Sequence, residues 1–222
     1  MSFSSFASKS GHRLSHVVRG RGAFRFLAGC LSVLALGCGA WALDNELDEA
    51  HAISSLQQGG YVVYLRHADR YKGPKEALNQ HSPLEAFADC SVQRNLTPKG
   101  REQAQTLGHY FRELNIPVDR IIANAQCRTR DTAMLAFGHV EDLELDPRVY
   151  DPNFVKQVLS TPPAPKTNTI IVGNDEQFIK LAGIQLGRAD AVVVQPDGKG
   201  SFTILAKLEL DDWQEAAEPG WW

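Results

Sequence analysis

The stretch Tyr61-Val-Val-Tyr-Leu-Arg-His-Ala-Asp-Arg70 decides the fold. Its apolar part, Tyr61–Leu65, is typical of a short buried strand, and it runs directly into Arg66 and His67. In open α/β sheets, ligands bind at the edge formed by the carboxyl ends of the strands. An imidazole at that edge can act as a nucleophile, and a guanidinium there can clamp a phosphate.

Helix and strand patterns alternate along the rest of the chain in the order β-α-β-α-β-α-β-β, after one preceding helix that Gly59-Gly60 ends. Thr97-Pro98 is typical of a helix start, an N-cap followed by proline. The alternation predicts one α/β domain, a three-layer sandwich with a mixed sheet that is parallel at its centre. The predicted helices cover 46–58, 97–114, Arg128–Phe137 and Glu176–Leu186; the strands Tyr61–Leu65, Val118–Ala123, Thr169–Val172, Ala191–Val194 and Phe202–Leu208; and the loops 70–95 and 160–168.

Three predicted strand ends meet at one edge of this sheet and carry Arg66-His67, Asn124–Arg128 and Gly173-Asn174-Asp175. The helix that contains Arg128 begins there, so its backbone N–H groups already favour an anion. Two guanidinium groups can hold a phosphate from two sides, with His67 in line to attack the phosphorus. Taken alone, Arg128 is equally consistent with a surface ion pair, so the prediction rests on the three ends together.

The first 42 residues are predicted to be a signal peptide that is removed after Ala42. Their basic residues end at Arg25, an uncharged run of 18 residues follows over 26–43, and Ala40-Trp41-Ala42 is a small-x-small cleavage pattern. An uncleaved membrane anchor is one alternative, because 18 uncharged residues can just span a bilayer. Lipid attachment at Cys38 or Cys30 is another. All three alternatives predict that residues 43–222 form a domain outside the cytoplasm, periplasmic or secreted.

The charge of residues 43–222 restricts the possible partners. The whole chain of 222 residues has a formal net charge of −3, but its first 42 residues hold five basic residues and no acidic ones. The remainder has 18 basic and 26 acidic residues, a net charge of −8. An acidic domain argues against nucleic-acid binding, and an anionic ligand would need a local basic pocket.

Two cysteines remain in residues 43–222, Cys90 and Cys127. In an exported protein they are predicted to form a disulfide, which would tie the loop at Cys90 to the segment that carries Arg128. Two free thiols are the alternative. Within residues 43–222, no Cys-x-x-Cys or His-x-x-x-His spacing supports a metal site.

Three motifs in the same order resemble those of the histidine phosphatase superfamily, also called phosphoglycerate mutase-like. Leu65-Arg-His-Ala68 is similar to its Arg-His-Gly/Ala signature. The block Cys90–Ala104, with Leu96-Thr-Pro-Lys-Gly100, is similar to its Leu-Thr/Ser-x-x-Gly-x-x-Gln-Ala helix start. Cys127-Arg-Thr-Arg-Asp-Thr-Ala133 resembles its Cys-Arg-x-x-x-Thr-Ala block. The resemblance extends over roughly residues 60–213, and its nearest counterparts are small exported bacterial members.

This resemblance implies a phosphoglycerate mutase-like fold and a phosphomonoester hydrolase. His67 would attack the phosphoryl group and become phosphohistidine, while Arg66 and Arg128 bind the phosphate. Arg94, in the loop before the helix, is a further candidate for phosphate contact. The guanidinium groups supply the positive charge, so no metal or cofactor is implied.

One departure concerns the family's second histidine, which follows the third strand and hydrogen-bonds to the phosphoryl group. Here Asn174 stands at that position, and no histidine follows residue 139. An amide donates a neutral hydrogen bond, and loss of one well-placed donor costs about 10²- to 10³-fold in turnover. Asp175 corresponds to the proton donor of one branch of the family and is the first candidate for general acid, with a helix N-cap as its alternative role. Asp69 and Asp151 are weaker candidates, and His81, His109 and His139 are expected to lie on the surface or in loops.

Two functions therefore compete. The first is a phosphomonoesterase with weakened activity, and the second is an inactive pseudophosphatase that binds a phosphorylated ligand through Arg66 and Arg128. A third possibility is that Asn174 is an engineered change. Retention of His67 and Asp175 favours the enzyme. The expected partner is a small phosphorylated substrate or phosphate, with membrane contact only through the N-terminal segment.

Overall fold

The computed structural model describes residues 49–73, 87, 89–141 and 151–218. A helix, α1, covers 49–58, and Gly59 and Gly60 end it with positive φ angles of 76° and 101°. The elements that follow are β1 (Val62–Arg66), a 3-10 turn (Cys90–Val92), α2 (Pro98–Glu113), β2 (Val118–Ala123), α3 (Cys127–Phe137), α4 (Pro152–Ser160), β3 (Asn168–Gly173), α5 (Asp175–Ala182), β4 (Ala191–Pro196), β5 (Phe202–Leu208) and α6 (Leu210–Ala217).

The five strands form one mixed sheet in the order β2-β3-β1-β4-β5. β1 lies at the centre, parallel to β3 and antiparallel to β4, and β2 is parallel to β3. The carboxyl ends of β1, β2 and β3 therefore share an edge with the amino end of β4. In the register, Arg66 pairs with Gly173 of β3, and Leu65 pairs with Ala191 of β4.

Helices cover both faces of this sheet, which gives the predicted three layers. One face packs against α1, α2, α3 and α6, and its buried cluster includes Leu56, Phe111 and Trp213. The other face packs against α4 and α5, with Leu159 and Phe178 fully buried. Because β1 is covered on both sides, its run Val62–Leu65 is buried throughout. The structure confirms the predicted α/β class with a sheet that is parallel at its centre.

Three helices differ from the prediction. α4 and α6 were not predicted, although Asp151-Pro152 carries the same cap-and-proline signal as Thr97-Pro98. α5 ends at Ala182 instead of Leu186, because Gly183 adopts the left-handed conformation with φ 71°. Trp213 of α6 is fully buried, with its ring centroid 4.8 Å from that of Phe111. Trp221 and Trp222 lie outside the described residues.

The described residues contain no helix that is both long and apolar enough to cross a membrane. Residues 1–48, on which the predictions about export depend, lie outside the described part of the chain.

Candidate active site

His67 lies immediately past the end of β1, at the central point of the sheet edge. It is 1% exposed, and its backbone N–H donates to the Gly173 carbonyl at 3.1 Å. Its Nδ1 lies 2.8 Å from the Ala68 carbonyl oxygen. Since a carbonyl only accepts, Nδ1 carries the proton, and the lone pair of a neutral ring is therefore on Nε2. This is the tautomer that a nucleophilic imidazole requires.

The surroundings of His67 keep the imidazole neutral. Burial is the largest cause, and the positive charges of Arg128 and Arg188 add to it, so that the pKa of His67 falls from 6.5 to about 2. Arg66 acts in the same direction. A ring that stays unprotonated above pH 4 keeps its Nε2 lone pair available for chemistry.

Arg66 lies on one side of His67 and contacts Asp175. Its Nη2 is 3.2 Å from the Asp175 carboxylate, and its Nη1 donates to the Leu186 carbonyl. Its Nε is buried, and within the described residues it has no hydrogen-bond acceptor. Asp175 is the first residue of α5, whereas Asn174 is the N-cap, so the alternative of Asp175 as the N-cap is wrong.

Arg128, from the first turn of α3, is the second predicted cation, and it is 3% exposed. Its Nη2 donates to the Asn174 side-chain oxygen at 3.0 Å. The Asn174 amide nitrogen donates in turn to Gln126 at 2.8 Å. Asn174 therefore holds Arg128 in place at the sheet edge. The contacts of these two side chains with a phosphate stay predictions.

A third guanidinium, that of Arg188, completes the cluster and was not predicted. Its Nη1 lies 2.9 Å from His67 Nε2. Arg188 precedes β4 by three residues, and β4 runs antiparallel to β1, so the turn before it returns to the end of β1. The sequence contains the turn Gly187-Arg-Ala-Asp190 directly before β4. Placing Arg188 beside His67 from this turn requires knowing which strand β4 pairs with.

Polar side chains below the cluster tie the three strand ends together. The Tyr64 hydroxyl donates to the Asn174 carbonyl at 2.7 Å and lies 3.3 Å from Gln177 Oε1. That same Gln177 oxygen accepts from the buried Asn124 amide at 3.2 Å. Burial raises the pKa of Tyr64, which keeps its hydroxyl protonated as a donor. These bonds connect Tyr64 of β1 with residues that directly follow β2 and β3.

A disulfide fixes the start of α3. Cys90 and Cys127 are bonded, with their Cα atoms 5.7 Å apart. The Cys127 N–H donates to Gln93 Oε1 at 2.9 Å. Because Cys127 directly precedes Arg128, both contacts restrain the backbone that positions this guanidinium.

The other residues that the sequence analysis considered for the site have contacts different from those of His67, Arg66 and Arg128. The Arg94 side chain passes close to Gly73, and its contact with a substrate stays a prediction. The Asp69 carboxylate accepts from the Thr97 hydroxyl at 2.7 Å. Asp151 caps α4 by accepting from the Asn153 N–H at 2.9 Å, which gives it a structural role.

The three histidines that were expected on the surface or in loops lie apart from the site where they are described. His109 is exposed beside Glu113, and His139 is exposed. His81 lies outside the described residues.

An open groove of about 380 Å³ is lined by Arg188 together with residues of α2 and of the start of α6. Its lining carries both charge signs, with Lys99 and Arg188 as well as acidic side chains such as Glu102 and Asp211. A bound molecule larger than phosphate could extend from the cluster into this space.

Comparison with known proteins identifies the family that the chain resembles. A model of the histidine phosphatase superfamily (branch 1) matches residues 81–156, which include the blocks Cys90–Ala104 and Cys127–Ala133 and begin after His67. Comparison with curated proteins gives no match.

Two solved structures are among those that resemble this chain. The protein histidine phosphatase SixA complexed with tungstate aligns with a TM-score of 0.51 and 13% identity, over 68% of this chain and 98% of that chain. Phosphoserine phosphatase from Entamoeba histolytica, in complex with 3-phosphoglyceric acid, aligns with a TM-score of 0.42 and 12% identity, over 69% of this chain and 98% of that chain. The family match confirms the resemblance to the histidine phosphatase superfamily over residues 81–156, and the SixA structure shows that the fold is shared.

Proposed function

We propose that this protein, with its histidine phosphatase fold, is a phosphomonoester hydrolase that works through a phosphohistidine at His67. One observation carries the proposal: a neutral, buried imidazole directs the lone pair of Nε2 into a cluster of guanidinium groups. Such a cluster attracts a phosphate and neutralises the charge that spreads over its oxygens during transfer.

The first step transfers the phosphoryl group to the enzyme. Nε2 of His67 attacks the phosphorus while Arg66 and Arg128 hold the phosphate oxygens, and the bond to the leaving oxygen breaks. A carboxylic acid gives its proton to that oxygen. Asp175 is proposed for this role, because its carboxylate lies 3.2 Å from Arg66 and therefore borders the phosphate position.

The second step releases the phosphate. A water molecule attacks the phosphorus of phosphohistidine, and the bond between phosphorus and Nε2 breaks. The carboxylate formed in the first step takes the proton from the water. His67 returns to its neutral form, and inorganic phosphate leaves. The substrate is proposed to be a small phosphorylated molecule whose leaving group extends into the groove beside Arg188.

Asn174 is proposed to weaken this activity. Its side chain is engaged with Arg128 and Gln126, and it brings no second imidazole to the phosphate. The same observation favours the alternative, a pseudophosphatase that binds phosphorylated ligands without turnover. Export is also proposed, on the support of the N-terminal segment and of a disulfide, which persists in oxidising compartments.

Hydrolysis of p-nitrophenyl phosphate between pH 4 and pH 8 tests these proposals. The wild type should release p-nitrophenol, and the His67→Ala variant should not. Activity that survives His67→Ala would eliminate the phosphohistidine mechanism. A wild type without turnover, together with a large gain in Asn174→His, would favour the pseudophosphatase.

A further inference from the structure

We infer that Arg188 is a third phosphate-binding residue. When the substrate enters, its guanidinium moves away from His67 Nε2 and binds the phosphoryl oxygens. The inference rests on the proposed function and adds to it a residue that both contacts His67 and lines the groove. Neither the motifs nor the family match points to this residue, which lies outside residues 81–156.

The Arg188 guanidinium lies against the nucleophilic nitrogen of His67. Its Nη1 is 2.9 Å from His67 Nε2. A phosphorus atom poised for attack lies about 3 to 3.5 Å from its nucleophile. Arg188 therefore occupies the place that the phosphorus must take, and the guanidinium has to move before reaction. A short movement would leave it beside the oxygens of the incoming group.

The space around Arg188 allows this movement. Arg188 borders the open groove of about 380 Å³, so its side chain can swing away from Nε2 without displacing the core. Burial and the nearby charges of Arg66 and Arg70 lower the pKa of Arg188 to about 10. These cations repel one another, and a bound anion relieves that repulsion.

The backbone that carries Arg188 is held firmly by the turn before β4. The buried Asp190 carboxylate accepts from the Gly187 N–H at 2.6 Å and pairs with Lys207 at 2.9 Å. The Arg66 N–H donates to the Asp190 carbonyl at 2.9 Å, which ties the turn to β1. Ala189 adopts a left-handed φ of 64°, a conformation that is strained for a non-glycine residue. Strain of this kind persists where the surrounding structure enforces it, and it is concentrated at functional sites.

Arg188 raises the positive charge available to a phosphate beside His67. Arg66, Arg128 and Arg188 contribute three guanidinium groups, His67 is neutral, and Asn174 adds no charge. Three guanidinium groups can pair with more phosphate oxygens than two, and each such charged hydrogen bond is stronger than a neutral one.

The test compares Arg188→Gln with Arg101→Gln, a matched control that also removes one cation. Arg101 is 54% exposed and pairs with Asp131 at the surface. Calorimetry measures the affinity of each full-length variant for inorganic phosphate, and p-nitrophenyl phosphate measures turnover. Arg188→Gln should weaken phosphate binding about 10- to 100-fold, which is typical for a charged hydrogen-bonding partner, and lower kcat/KM by about 10²- to 10³-fold. Arg101→Gln should stay within about twofold of wild type.

Two results would overturn the inference. The first is an Arg188→Gln variant that matches Arg101→Gln in both measurements. The second is a rise in kcat/KM, which would show that Arg188 only obstructs Nε2. If Arg188→Gln does not fold, Arg188→Lys replaces it, and the loss of the planar fork should still lower kcat/KM at least tenfold. Phosphate affinity can be measured whether or not the protein hydrolyses a substrate. A wild type that binds phosphate without hydrolysis contradicts the proposed function. In that case a loss of phosphate affinity in Arg188→Gln still supports the role of Arg188 in binding.

Discussion

The neutral state of His67 should make the stability of the protein fall below neutral pH. The native imidazole has its pKa lowered from 6.5 to about 2, mainly by burial and then by Arg128 and Arg188. In the unfolded chain the same ring takes up a proton near pH 6.5. Below that pH the unfolded state binds more protons than the native state, so the free energy of unfolding decreases as the pH decreases.

The size of this decrease in the free energy of unfolding follows from the difference between the unfolded and native pKa values of His67. Each pH unit below the unfolded pKa removes about 1.4 kcal/mol, until the pH approaches the native pKa. Between pH 7 and pH 5 the contribution of His67 is a loss of about 2 kcal/mol. This value is insensitive to the native pKa as long as that pKa lies below about 4.

Urea unfolding of wild type and His67→Gln at the two pH values isolates this contribution, because other titrating groups act equally in both proteins. The buffer contains no phosphate, since a bound anion would stabilise the native state. Wild type should lose about 2 kcal/mol more than His67→Gln on going from pH 7 to pH 5. The control His109→Gln, which changes an exposed histidine, should lose as much as wild type. Equal losses in wild type and His67→Gln would refute the buried neutral imidazole.

Three further predictions concern the surroundings of His67. Reduction of the Cys90–Cys127 disulfide, which spans 37 positions, should remove about 4 kcal/mol and lower Tm by about 8 to 16 °C in a calorimetric scan. A sample with both thiols shown to be free and an unchanged Tm would contradict this. Gly173→Ala should lower the free energy of unfolding by about 1 to 3 kcal/mol, because its Cβ would collide with the Tyr64 hydroxyl, and adding Tyr64→Phe should restore part of the loss. No recovery in the double variant would show that the hydroxyl is not the obstacle. Asp175→Asn should slow phenyl phosphate hydrolysis by about 10²- to 10⁴-fold but p-nitrophenyl phosphate hydrolysis far less, since nitrophenolate leaves without a proton. Equal losses on the two substrates would exclude Asp175 as the general acid.

The central part of the fold was predictable because its strands are buried on both faces. Such strands appear in the sequence as short apolar runs, and the residue that ends each run lies at the sheet edge. This is why Arg66 and His67 could be placed from the sequence, and why the start of α3 could be connected with Arg128. The helix after Thr97 was predictable from its cap and proline.

The parts that were missed depend on tertiary pairing. Arg188 reaches His67 only because β4 runs antiparallel beside β1, and no local pattern specifies that pairing. Asp151 was considered as an acid because a carboxylate suits both catalysis and a helix cap, and its surroundings decide between the two roles. The bonds from the Asn174 side chain to Arg128 and Gln126 were not indicated by the sequence, and the contact of this amide with a phosphate stays a prediction. Such contacts between side chains depend on the tertiary fold, and the spacing of residues along the sequence does not specify them.

The most direct measurement of the central claim is mass spectrometry of the protein quenched in alkali within milliseconds of mixing with p-nitrophenyl phosphate. Phosphohistidine survives alkali and decomposes in acid, so a transferred group can be located. We predict one added HPO₃ unit on the peptide that contains His67, lost on acid treatment and absent from His67→Ala. Release of p-nitrophenol with no phosphorylated peptide in wild type, or with the label on another residue, would contradict the account.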